Sequence, residues 1–268
     1  MIKGQEKLCL HIDRFTIDTL PRTILLLGAY GSGKHLIVNY IADKYNLEVE
    51  DISDNLTLEL IDNISQRVSP RLYIINSNGL TNKNENTILK FLEEPLKNAF
   101  IIVLSESKDS IIPTVLNRCQ VWEMNAYQKD FLSSFIQSTA DNTEMLLKVA
   151  DTPGKILEYQ HFPLKDMFDL AYKIFNNIQN ANFANVLTLS RFIAFKNEKD
   201  KFDFNLFIDI LTLVSRELCV NNKMSATIYH LTNRLSNNRH IFNIDKKALF
   251  ENYLVNLKIT VNGESKND

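Results

Sequence analysis

Apolar and polar residues follow two rhythms along the chain. Residues 23–28, TILLLG, form a short continuous apolar run ending in glycine, which predicts a fully buried strand. Residues 34–45, KHLIVNYIADKY, place apolar side chains at 36, 37, 41 and 45, a helical spacing. The alternation continues with LEVEDI at 47–52 as a strand, residues 56–66 as a helix and RLYIIN at 71–76 as a strand. NENTILKFLEE at 84–94 predicts a helix stopped by Pro95. AFIIVLS at 99–105 predicts a strand, residues 110–118 a short helix with Pro113 in its first turn, and CQVWEM at 119–124 a last strand. Strands and helices in this order predict a parallel sheet covered on both faces. After Tyr127 the texture changes. Short helical patterns over 128–161 are broken at Asp151-Thr152-Pro153-Gly154, and the rest reads as helix at 164–179, 183–196, 203–220, 222–237 and 245–257.

The 268 residues fit one large domain or two to three small ones. Hydrophobic residues make up 45% and charged residues 23%, so the chain can bury a sizeable core and disorder is not expected. A net charge of −2 excludes a protein that coats nucleic acid by charge alone, though not a local basic face. Cys9, Cys119 and Cys219 form no CxxC pair, and their odd number argues against a disulfide framework and for a reducing, cytoplasmic compartment. The charged opening MIKGQEKLCLHIDRF is not expected to be a signal peptide, and no apolar run is long enough for a membrane span. His11, His35, His161, His230 and His240 show no HxxxH or HExxH spacing, so no metal site is expected. Cys119 beside Arg118 reads as a packed thiol in preference to a reactive one.

The chain has only 7 glycines, and Gly28, Gly31 and Gly33 fall within six residues. GAYGSGKH at 28–35 completes the GxxxxGK pattern, with Ser32 inside it, between a predicted strand and a predicted helix. Such a loop cradles phosphate with backbone N–H groups and the helix N-terminus, while Lys34 reaches the β- and γ-phosphates of ATP or ADP. The next position departs from the pattern. A hydrolase has Ser or Thr there as a Mg²⁺ ligand, and this chain has His35. Imidazole suits Mg²⁺ poorly; the alternative is a tolerated variation on a competent loop. The strand RLYIIN ends in Asn76, followed by Ser77, where a working ATPase has an Asp for Mg²⁺ and often a Glu that orients the attacking water. The three changes agree: nucleotide could be gripped, with Mg²⁺ bound weakly or not at all, and hydrolysis lost.

Residues 86–95, NTILKFLEEP, resemble the NALLKxLEEP segment of bacterial clamp-loader subunits, and 111–120, IIPTVLNRCQ, resemble their LLPTIxSRCQ segment. Gly4-Gln5 resembles the GQ that opens the family's N-terminal region, ADTPGKIL at 150–157 its lid segment AxGSPGxAL, and NIDKKALFENYLVNL at 243–257 its collar helix. The chain is thus similar over nearly its whole length to the AAA+ clamp-loader ATPase family. The resemblance implies an α/β P-loop AAA+ domain over 1–125, a small helical lid over 126–163, an all-α collar for oligomerisation over 164–262 and a tail at 263–268.

It also implies a heteropentamer with gamma/tau-like and delta-like AAA+ subunits that opens a sliding clamp and places it on primer–template DNA, with no membrane partner. Arg118 matches the family's arginine finger, which acts in trans on a neighbour's ATP; the alternative is an arginine capping a helix C-terminus. Asn117 replaces the family's Ser. Lys155 falls where a basic lid residue touches phosphate, or else is a solvated helix residue. Ser105-Glu106-Ser107 match the first sensor, where a glutamate would repel a γ-phosphate. Glu93-Glu94-Pro95 reads as a helix end. The four-Cys zinc module of many relatives is absent from 45–70, so no zinc is expected. Two other functions stay open: an active AAA+ motor ATPase and a nucleotide-independent scaffold.

Overall fold

The computed structural model describes residues 1–77, 85–93, 96, 98–108, 111–137, 140–195, 202–221, 223–238 and 245–264. Glu94, Pro95, Arg239 and His240 lie outside them. The described residues gather into two compact units, Met1–Phe135 with Asp151–Lys155, and Ile136–Ala150 with Ile156–Asp268. Residues 126–135 and 151–155, read from the sequence as lid, therefore group with the sheet. No helix among the described residues is long and apolar enough to cross a membrane.

The first unit is built on a parallel five-stranded sheet. Its strands are β1 (Thr23–Leu27), β2 (Glu48–Asp51), β3 (Arg71–Asn76), β4 (Ala99–Ser105) and β5 (Gln120–Glu123), in the order β2-β3-β4-β1-β5. The apolar runs divide by parity, as side chains of a strand must. Ile24 and Leu26 of β1, Leu72 and Ile74 of β3, and Phe100 and Ile102 of β4 pack on one face. They meet α1 (Glu6–Asp13) through Leu8, Cys9 and Ile12, and α2 (Lys34–Tyr45) through Ile37, Val38 and Ile41. Leu25 and Leu27, Tyr73 and Ile75, and Ile101 and Val103 face the other way. There they meet Ile61 and Ile64 of α3 (Leu58–Ser65), Ile88 and Phe91 of α4 (Glu85–Glu93) and Val115 of α5 (Pro113–Leu116). A short α6 (Lys129–Ser133) follows β5. Helix α1 has no counterpart among the elements expected from the sequence: its apolar residues are interleaved with Lys7, His11 and Asp13, and only tertiary burial selects the helix.

The second unit is helical. It takes α7 (Ala140–Val149) and the later part of α8 (Pro153–Tyr159), then α9 (Leu164–Asn177), α10 (Phe183–Phe195), α11 (Phe204–Val220), α12 (Ala226–Asn238) and α13 (Lys246–Glu264). Asp203 caps α11 by accepting from the Leu206 amide at 2.6 Å. Helix α11 is the buried centre, with Leu206, Phe207, Ile210, Leu211 and Val214 fully covered. Helix α13 runs to Glu264, two residues into the segment read as tail.

Candidate functional site

Strand β1 ends at Leu27 and α2 starts at Lys34; the six residues between them form the glycine loop. Gly31 and Gly33 have φ values of +72° and +88°, the left-handed region that glycine enters without strain. Every carbonyl from Gly28 to Gly33 has a donor. Lys34 Nζ donates to Gly28 O at 2.6 Å and Ala29 O at 3.1 Å. Thr152 Oγ1 donates to Tyr30 O at 2.8 Å, the Gly154 amide to Gly31 O at 3.0 Å, and Tyr127 OH to Ser32 O at 2.7 Å. Gly33 O accepts from the Leu36 and Ile37 amides of α2. The acceptor side of the loop is thus occupied. On the donor side, the Gly28 amide bonds Ser105 O and the Ser32 amide bonds Ala29 O, and the N-terminus of α2 forms the positive end of the loop. Ser32 is 3% exposed, and its hydroxyl has no hydrogen-bond partner among the described residues.

Three segments distant in sequence make this loop. Gly154 approaches Gly31 so closely that a Cβ on Gly154 would lie 2.5 Å from the Gly31 Cα. At the N-terminus, Gln5 is fully buried and holds Asn125 at both ends, donating to its carbonyl at 2.9 Å and accepting from its amide at 2.7 Å. Gly4, at φ +81°, leaves room for the Tyr127 ring, which would stand 2.4 Å from a Cβ there. The Gly-Gln pair therefore positions Tyr127, which stacks on Phe131 with centroids 5.4 Å apart and holds the loop through Ser32.

Lys34 lies against its own loop. Burial pulls its pKa below the ordinary lysine value, and the Glu106 carboxylate acts in the opposite direction. Glu106 follows β4, whose last residue, Ser105, accepts the Gly28 amide at 3.0 Å. His35 is exposed on the first turn of α2. Lys155 pairs with Asp151 at 2.8 Å, and its amide points to Thr152 Oγ1 at 3.3 Å. Asn76 is tied into the ends of β2 and β3, donating to Ser53 Oγ from its amide at 2.8 Å and from Nδ2 at 3.0 Å, and to Asp51 Oδ2 at 3.3 Å. Ser53 in turn donates to Asp51.

The structure thus gathers Gly28, Gly31, Ser32, Gly33, Lys34, His35 and, through Thr152 and Gly154, Lys155. Arg118 belongs to a separate set of contacts. Its guanidinium caps α5 through Thr114 O at 2.7 Å and pairs with Glu93 of α4. The Arg118 side chain is 32% exposed and that of Glu93 49%. The capping contact left open by the sequence is present, beside a carboxylate at the protein surface. Burial pushes the Cys119 thiol up to about 12, so the neighbouring arginine does not activate it. Sequence reasoning missed the tethers Tyr127 and Thr152 and the close approach at Gly154.

Residues 43–128 match the protein family described as DNA polymerase III, delta subunit. The DNA polymerase III subunit delta' of Haemophilus influenzae is 27% identical over 112 residues, 41% of this chain and 33% of that protein. That of Bacillus subtilis is 25% identical over 99 residues, 37% of this chain and 30% of that one. The matched stretch spans about a third of either relative's length. A solved gamma subunit-related protein of DNA polymerase III from Thermotoga maritima superposes with a TM-score of 0.47 at 15% identity, covering 96% of this chain and 99% of the other.

Proposed function

We propose that this chain, a member of the clamp-loader AAA+ family, is a delta-prime-like subunit of a DNA polymerase III clamp loader. It assembles with gamma/tau-like and delta-like AAA+ subunits in a heteropentamer that loads a sliding clamp on primer–template DNA. Its own loop holds nucleotide without hydrolysing it, because His35, Asn76 and Ser77 stand where a metal and an attacking water need hydroxyl and carboxylate groups. Its part in turnover is Arg118, given to the ATP of a neighbour.

The observation that carries this reading is the setting of Arg118. The guanidinium is half-buried at its root, aligned by Thr114 O and closed by one half-exposed carboxylate. An exposed pair of this kind contributes about 0–1 kcal/mol, so exchanging Glu93 for a partner's γ-phosphate costs little. A phosphate offers that fork stronger, charge-assisted bonds.

The test begins with native mass spectrometry of the tagged protein from its source cells. A heteropentamer with an AAA+ subunit of intact Walker motifs is expected; a lone chain or homo-oligomer would overturn the loader reading. In the assembled loader, Arg118→Ala should leave assembly intact and slow the facing ATP site by about 10³–10⁵. Unchanged turnover would remove the finger assignment.

A further inference from the structure

We propose that the outer edge of β5, with the groove between it and α1, takes an extended acidic peptide segment of a partner protein as an added strand. This goes beyond the proposed function and rests neither on the glycine loop nor on Arg118.

The first ground is the edge itself. Strand β5 closes the sheet and pairs with β1 on one side only. The Met124 amide donates to Leu27 O, and a strand turns the peptide groups of successive residues to alternate sides. Trp122 therefore faces β1, while the peptide groups of Val121 and Glu123 face outward and have no partner among the described residues. Asn125, next in that outward series, is already held by the Gln5 side chain. The second ground is the groove beside this edge. It has a volume of about 250 Å³ and runs between Lys7, Leu8 and His11 of α1 and the stretch of β5 from Val121 to Glu123. Trp122 is 3% exposed and stands edge-on to His11, with ring centroids 5.4 Å apart. The groove is thus packed before a partner arrives, which lowers the ordering cost of docking.

The third ground is charge. Lys7 lines the groove and Arg14 follows two helical turns on; both are exposed, and neither has an ion-pair partner among the described residues. The nearby acids are engaged. Glu123 pairs with Lys108 at 2.7 Å, Glu6 accepts the Gly4 amide at 2.8 Å, and Asp13 is held by Tyr40 at 2.8 Å and Lys44 at 3.3 Å. Side chains of an added strand alternate between the two faces. Those on the α1 side meet Lys7 and His11 and are acidic. Those on the other side lie beside Val121, which packs against the opposite core, and are apolar. The occupant is therefore an extended segment of alternating acidic and apolar residues, bonded through its main chain. A nucleic-acid strand has the charge but lacks N–H and C=O groups at strand spacing.

Titration of the full chain with the peptide Ac-EVEVEVE-amide tests this. Trp122 is the chain's one tryptophan, so its fluorescence reports on the groove, while calorimetry reads binding independently. Saturable binding with a change in Trp122 emission is expected. Lys7→Glu should weaken it about 3–10-fold by turning an attraction into a repulsion. Proline is tolerated on a strand edge but has no N–H, so Glu123→Pro should weaken binding about fivefold beyond Glu123→Ala. Circular dichroism should show all three variants folded. Two further peptides need no variant: with N-methyl groups on the Glu residues or on the Val residues, one should lose binding and the other keep it, because alternate N–H groups of a strand point to opposite sides. No saturable binding, equal effects of the two methylations, equal binding of Ac-KVKVKVK-amide, or a response to oligothymidylate in place of the peptide would each overturn the proposal.

Discussion

Alanine at position 154 would place a methyl carbon 2.5 Å from the Cα of Gly31, 3.0 Å from its carbonyl oxygen and 3.2 Å from its carbonyl carbon. All three neighbours are backbone, so no flexible side chain can swing aside. Overpacking of this kind costs about 1–3 kcal/mol. The bond from the Gly154 amide to Gly31 O, 3.0 Å long, would stretch or break, at about 1 kcal/mol. Against this, alanine is the better helix former by up to about 1 kcal/mol, and Gly154 is the second residue of α8. The net effect should be a destabilisation of about 1–3 kcal/mol, or a fall in melting temperature of about 3–9 °C for a unit of this size. Gly263→Ala is the control. It lies in α13, and a Cβ there would meet nothing within 4 Å, so only propensity acts and stability should hold or rise. Thermal unfolding followed by circular dichroism reads both. If Gly154→Ala melts at or above the wild-type temperature, the close approach of α8 to the loop is wrong, and with it the tethering of the loop through Thr152 and Gly154.

Gln5→Ala should destabilise the chain by about 2–4 kcal/mol in urea unfolding, because it strips both partners from a covered peptide; Gln5→Glu should not rescue it, since a carboxylate has no N–H for Asn125 O. A Gln5→Ala variant of wild-type stability would refute that role. With its pKa pushed up to about 12, Cys119 should hold a thiolate fraction on the order of 10⁻⁴ at pH 8. Iodoacetamide should therefore modify Cys219 of the folded chain well before Cys119, as peptide mass mapping would show; equal rates would count against the burial of that thiol. Asp203→Ala should cost about 1 kcal/mol through loss of the α11 cap, and Asp203→Asn much less.

The sheet is readable in the sequence because its strands are continuous apolar runs, and α2, β3 and β4 begin and end where the pattern places them. Burial on both faces leaves such runs no other stable use. Helix α1 is not readable, since a short segment with polar residues at Lys7, His11 and Asp13 carries little periodic signal. The loop itself is legible from GxxxxGK, a local motif. Its tethers are not, because Tyr127 and Thr152 meet it across 95 and 122 residues, and no period encodes a contact of that range. One signal is available: in a chain with 7 glycines, Gly154 lies in the first turn of a helix, where glycine is a poor choice unless something must come close. Arg118 can be picked out from its motif, but its pairing with Glu93 joins two segments that only the fold brings together.

The Gln5 amide does one thing more. Met124 gives its N–H to β1, so Asn125, one residue on, turns its own peptide groups away from the sheet, and the Gln5 side chain bonds both of them as a neighbouring strand would. A single side chain thereby satisfies the peptide groups two residues past the end of β5. The opposite margin, β2, is four residues long, with Glu48 and Glu50 paired to Arg71 and Arg67. A margin so short and so charged is a poor template for another chain's strand. On that side, charge guards the sheet against the edge-to-edge growth that ends in aggregation.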